Sequence, residues 1–221
     1  MVTLCWAAKG GSGTTVVAAA LALNSQRPSL LVDLDGEIPA VLGLPEPDRP
    51  GIADWLESDA SADHLAELLI DIGPRAWLLP WTSAGIDPSR RVAAVQDARW
   101  ATFADWLHDW SHQWGCDVTI DVGTRVPPEP LARRATRSLL VTRPCYLSLR
   151  RAVRSTVRPT GVILVDEPGR GLGPRDVEHA IGAPVEAVVS VDPSVARAVD
   201  AGLLATRLPR VMARALRSVA A

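Results

Sequence analysis

Lysine is almost absent from this sequence: of its 23 Lys and Arg residues, one is lysine, Lys9. Cysteine is scarce, and Cys5, Cys116 and Cys145 are scattered and odd in number. That pattern excludes a disulfide framework and a cysteine metal site, and it points to buried thiols in a reducing compartment. No apolar run approaches the ~20 residues that a membrane-spanning helix needs. The apolar opening stretch is cut at once by Lys9 and a glycine/serine cluster, which is not the layout of a secretory signal. The expectation is a cytoplasmic protein. A net charge of −2 removes any global bias toward nucleic acid or anionic membranes.

With 221 residues, 48% of them hydrophobic, the chain can bury a substantial core, and one domain spanning 1–221 is the expectation. Val2 to Ala7 reads as a strand that runs into Lys9-Gly10-Gly11-Ser12-Gly13-Thr14-Thr15. An alanine-rich helix follows over Val16 to Leu23, then a strand over Ser29 to Leu34 ending in Asp33-Leu34-Asp35. Strand, glycine loop, helix and strand make a βαβ unit with parallel strands. Pro39 to Pro50 reads as loop, Ile52 to Leu56 and Ala62 to Ile70 as short helices, and Ala76 to Leu79 as a strand. Further strands fall at Asp117 to Val122, Leu139 to Thr142, Val162 to Val165 and Val185 to Val191, mostly separated by helical segments. The fold class is therefore α/β, with a doubly wound, mostly parallel sheet. Phe103, Trp106, Leu107, Trp110 and Trp114 recur at helical spacing, which reads as a helix packed on that sheet rather than as a base-stacking platform.

The glycine loop carries the chemistry. Glycines let backbone N–H groups turn around an anion, and the following helix adds its positive end. Gly10, Gly11, Ser12, Gly13, Thr14 and Thr15 are the candidate nucleotide-binding residues, and the Thr15 hydroxyl is a candidate Mg²⁺ ligand. Thr14 stands where the general pattern G-x-x-x-x-G-K-[ST] has lysine. The run resembles instead the variant loop K-G-G-x-G-K-[ST] of the MinD/ParA group of P-loop ATPases, with Lys9 at the opening "signature" position. Asp33-Leu34-Asp35 resembles the family's first switch and Ile120-Asp121-Val122-Gly123 its Walker B and second switch. Ser190-Val191-Asp192-Pro193 and Ala198 to Gly202 are similar to its last strand and the helix after it.

The resemblance implies a P-loop fold, ATP and Mg²⁺ as cofactors, and a nucleotide-dependent homodimer in which Lys9 reaches the partner's nucleotide. It implies Lys9 and Asp35 as catalytic residues and Thr15, Asp33 and Asp121 as the metal-side set. A small residue in place of the second lysine is similar to the CpaE/TadZ branch, which positions pilus machinery. Loss of one charge-assisted phosphate contact, worth about 1.5–3 kcal/mol, predicts nucleotide affinity lowered roughly 10- to 150-fold, and slow turnover. The implied role is intracellular positioning, of a pilus or polar protein or of DNA; the non-enzymatic alternative is a pseudo-ATPase scaffold on the same fold. A metabolic ligase or an iron–sulfur reductase on this fold lacks its substrate groups or cluster cysteines here.

Two segments bear on partners. Arg125 to Arg158 holds nine arginines against one acid, Glu129, a stripe that would bind DNA non-specifically unless it pairs with acids elsewhere. Leu208 to Val219 is amphipathic and basic, which reads as a last helix covering the sheet in preference to a membrane-surface helix.

Overall fold

The computed structural model describes residues 1–82 and 97–220. Among them, eight strands form one sheet in the order β3-β4-β2-β5-β1-β6-β7-β8. They are β1 (Val2–Trp6), β2 (Ser29–Asp33), β3 (Ile70–Gly73), β4 (Ala76–Leu79), β5 (Asp117–Asp121), β6 (Arg137–Thr142), β7 (Gly161–Asp166) and β8 (Val185–Ser190). Every neighbouring pair is parallel except β3 with β4. The central strands β1, β2 and β5 are buried along their whole length, as strands covered on both faces must be.

Each face has its own apolar layer. On one, the first helix, α1 (Thr14–Asn24), lies against Cys5, Leu31, Leu139 and Val141. Its Ala18, Ala19 and Ala20 are fully buried, and side chains this small let the helix approach the strands closely. The segment around helix Arg210–Ala215 covers the same face through Met212, Leu216 and Val219, so the basic amphipathic tail spends its apolar side on the sheet. Asn24 Nδ2 donates to the Ala213 carbonyl at 2.9 Å and ties the tail to α1. On the other face, helix Asp97–Gln113 buries Trp100, Phe103, Ala104 and Leu107. Its Trp106 and Trp110 are half-buried, and the tryptophan row runs out to an exposed Trp114.

Two stretches differ from the sequence reading. Residues 62–70 are a 3₁₀ turn, Ala62–Leu68, followed by the antiparallel edge strand β3, which buries only Ile72. The proline-rich stretch opens with a short helix, Ile38–Leu42, whose Pro39 sits in the first turn, where a missing N–H costs nothing. The basic stripe is partly neutralised, in four of five pairs by acids outside it. Arg125, Arg133, Arg134, Arg137 and Arg143 pair with Asp35, Glu129, Asp105, Glu186 and Glu167 respectively. Arg150, Arg151, Arg154 and Arg158, which form no ion pair among the described residues, remain as an exposed basic patch.

Candidate functional site at the sheet's C-terminal edge

Strand β1 lies between β5 and β6, so the chain winds away from it on both sides and the loops leaving β1, β2 and β5 converge. Such a switch point at strand C-terminal ends is where open α/β sheets bind ligands. The three loops are laced together by backbone bonds. Ala7 N donates to Gly123 O at 2.8 Å, Leu34 N to Asp121 O at 2.9 Å, and Val122 N to Cys5 O at 2.9 Å.

The loop after β1 curls over the start of α1. Gly11 and Gly13 take φ of +75° and +85°, which L side chains rarely adopt, and Cβ atoms at Gly10 or Gly11 would meet only open space. Ser12 folds inward and its Oγ donates to Lys9 O at 2.8 Å, closing the turn. Gly13 is the N-cap of α1 and supplies no capping side chain, and no acid stands in the first turn. The first amides of the helix therefore keep their positive end for an outside anion. Thr14 is buried and Thr15 half-buried. Lys9 is half-exposed, and among the described residues its Nζ reaches only the Gly10 carbonyl, at 3.5 Å.

Asp33 and Asp121 end neighbouring strands in register, β2 and β5, and both are fully buried. Asp33 is committed to its own loop: Oδ1 accepts from Asp35 N at 3.0 Å and Gly36 N at 2.7 Å, and Oδ2 from Ile38 N at 3.1 Å. Asp121 Oδ1 accepts from Gly123 N at 3.0 Å, but Oδ2 is buried without a hydrogen-bond donor. Burial pushes the Asp33 carboxyl up to about 7, against the pull of its three amides and with a further push from Asp121. Burial likewise lifts Asp121 to about 6, opposed by Gly123 N and by the nearby Thr15 side chain. Two carboxylates are thus buried side by side, one saturated by amides and one with an oxygen left over.

Asp35 stands one step outward and half-buried, with Arg125 Nε 3.4 Å from its Oδ1. A Cβ at Gly123 would overlap the Asp35 carboxylate, so glycine there lets the β2 loop lie against the β5 loop. The Arg125 guanidinium also faces the Trp81 ring, 5.8 Å from its centroid. Arg125 and Trp81 are candidate site residues that reading the sequence missed. Arg125 stood out only as one member of a basic run, and nothing in the order of residues links it to Asp35. Beside the loop, a cleft of about 340 Å³ is lined mainly by apolar residues, among them Val16, Val165, Val189 and Val195, with Gly13 and Asp192 at its rim. Its signal was the strand ends themselves, since β7 and β8 finish here.

A glycine loop at a helix N-terminus, two strand-end carboxylates and a mostly parallel sheet are the architecture of a doubly wound P-loop fold. Solved structures sharpen the fold further. The chain superposes on the MinD cell division protein of Aquifex aeolicus with a TM-score of 0.76 at 19% identity, over 99% of this chain and 94% of that one. A ParA family ATPase from Chlorobium tepidum matches with a TM-score of 0.72 at 18% identity, over 99% and 98% of the two chains. The septum site-determining protein MinD of Pyrococcus horikoshii, solved with Mg-ADP, matches with a TM-score of 0.74 at 20% identity, over 99% and 93%. No protein-family model matches the chain, and no curated protein is significantly similar to it. The chain has the fold of the MinD and ParA ATPases.

Proposed function

We propose that the chain is a nucleotide-dependent dimerising switch of the MinD/ParA kind, which binds Mg-ATP weakly and turns it over slowly. The observation that carries this is the open cradle at Gly10 to Thr15 beside the orphaned Asp121 oxygen. Amides of residues 10–15 and the α1 N-terminus would hold the phosphates, and the neighbouring apolar cleft would take the base. Thr15 and Asp121 are the residues for the Mg²⁺ side. Asp33, its oxygens already given to backbone amides, serves to shape the β2 loop. When bound, Mg²⁺ supplies charge neutralisation across the phosphate oxygens. Asp35, held by Arg125, would orient the attacking water. Thr14 offers no cation where the general motif has lysine, hence the weak binding and slow turnover.

The role we favour is intracellular positioning, of pilus machinery as in the CpaE/TadZ branch or of DNA, with the exposed patch Arg150, Arg151, Arg154 and Arg158 as the contact for DNA. The missing lysine also supports a second reading, a pseudo-ATPase scaffold that has stopped switching.

Lys9 separates the two readings. Its ammonium, with no ion-pair partner among the described residues, is free to reach phosphate held by a second copy. A compact charge on a flexible stem does this, whereas the wider guanidinium fork needs a differently shaped site. Sedimentation velocity with a non-hydrolysable ATP analogue should show the wild type moving from monomer to dimer. Lys9→Arg should weaken the shift and Lys9→Ala should abolish it. Equal wild-type mass with and without the analogue would replace the switch by the scaffold.

A further inference from the structure

A second groove, of about 820 Å³, lies between helix Pro193–Asp200 and the segment 203–210. Arg197, Arg207 and Arg210 line it together with Ser194, Leu203 and Leu208, and no carboxylate is among its lining residues. The three arginines are exposed and make no ion pair among the described residues, in a protein whose net charge is −2. Asp192, close enough for Arg197 to favour its ionised form, is already bound to the Ser194 amide at 2.6 Å. Leu203 N donates to Ala198 O at 2.8 Å and ties the two walls, and Arg207 N donates to Leu203 O at 2.7 Å within the second. Leu203, 45% exposed, gives the groove an apolar surface between the charges.

We propose that this groove is a second anion site, which takes a phosphorylated small molecule of nucleotide size. Planar guanidiniums with several donors match phosphate oxygens, and three of them line this groove with no ion-pair partner among the described residues. The concave, half-apolar lining and a volume within the ~300–1,000 Å³ of small-molecule pockets suit a ligand with an organic body. Duplex DNA, a convex and uniformly charged partner, would leave Leu203 and Leu208 unused.

The same helix is also a wall of the apolar cleft beside the phosphate loop, to which it contributes Val195 and Val199. None of its residues is fully buried, so it is held by fewer contacts than the central elements. A ligand in the arginine groove would therefore shift affinity at the cleft, a coupling that rests on the nucleotide-binding reading above.

Sodium tripolyphosphate is the probe, followed by calorimetry on the full chain at low ionic strength. Wild type should show two sites, one of them lost in Gly13→Val and the other in Arg197→Gln/Arg207→Gln. The affinity of the second should fall roughly 10- to 100-fold in the arginine variant, with its melting curve unchanged because both positions are exposed. If only the site sensitive to Gly13 appears, the groove proposal is overturned and the loop reading stands. If only the site sensitive to the arginines appears, the loop reading fails and the groove stands. A short DNA duplex or a polyglutamate peptide binding through these arginines while tripolyphosphate does not would overturn the small-molecule assignment.

Discussion

The loop after β2 and the loop after β5 start from the same position on neighbouring strands, each with a buried aspartate, and they use it in opposite ways. Asp33 gives both oxygens to amides of its own loop. Asp121 gives one oxygen to Gly123 N and leaves the other unpaired. A buried carboxylate saturated by amides is a structural part, and one with a free lone pair is a binding part. The difference separates the residue that shapes the site from the residue that would face a bound cation.

Removing Asp33 should have the largest effect on stability. Asp33→Ala strands three backbone donors, and by the usual penalties it should destabilise the protein on the order of 3 kcal/mol in urea unfolding. A loss below about 1 kcal/mol would show that those amides find water, and the contrast with Asp121 would dissolve.

Thr14→Lys works on the other side of the comparison by adding a cation to the phosphate-facing end. Affinity for Mg-ATP should rise roughly 10- to 150-fold, the worth of one charge-assisted contact. Unchanged or weaker binding would mean that residue 14 does not face the phosphates.

Asp121→Asn should not destabilise the protein where Asp33→Ala does. Asparagine keeps an acceptor for Gly123 N and removes a buried charge. Because burial raises the folded carboxyl from 3.8 to about 6, the metal-free variant's gain over wild type should be smallest below about pH 4 and should grow to about 1 kcal/mol or more by pH 8. Mg²⁺-dependent nucleotide binding should be lost in the same variant.

The last contrast is a pH slope in the wild type. Both carboxyls have folded values raised above the ordinary 3.8, to about 7 for Asp33 and about 6 for Asp121. The folded state therefore holds protons that the unfolded state has released, and stability falls as pH rises through that window. Thermal melts in chelator should give a higher Tm at pH 5.5 than at pH 8, and Asp121→Asn should reduce the slope while Asp33 keeps the larger part of it. A Tm that rises with pH would contradict the burial of unpaired charge.

Much of this centre was legible in the order of residues. Strands β1, β2 and β5 are short apolar runs, and the glycines after β1 mark a turn into a helix, so the cradle and the strand-end aspartates could be read before any coordinates. The division of labour between Asp33 and Asp121 could not, because it depends on which backbone amides each loop turns inward. Arg125 was hidden for a similar reason, since its partner Asp35 lies 90 positions earlier in the chain. Strand β3 was missed because its four residues bury a single side chain, Ile72, too little alternation to stand out after a helical stretch. The basic run was legible as charge, but five of its nine arginines are answered by acids, four of them distant in sequence.

The central claim is that nucleotide phosphates sit on the backbone of residues 10–15. Calorimetry of Mg-ATP binding to wild type and Gly13→Val tests it most directly. Gly13 has φ of +85°, and a Cβ there would lie 4.0 Å from Val165, so a β-branched side chain strains the turn without crowding the core. The account predicts measurable heat from the wild type and none from Gly13→Val at the same concentrations, with the fold of the variant intact by circular dichroism. Equal heats from the two proteins would contradict it.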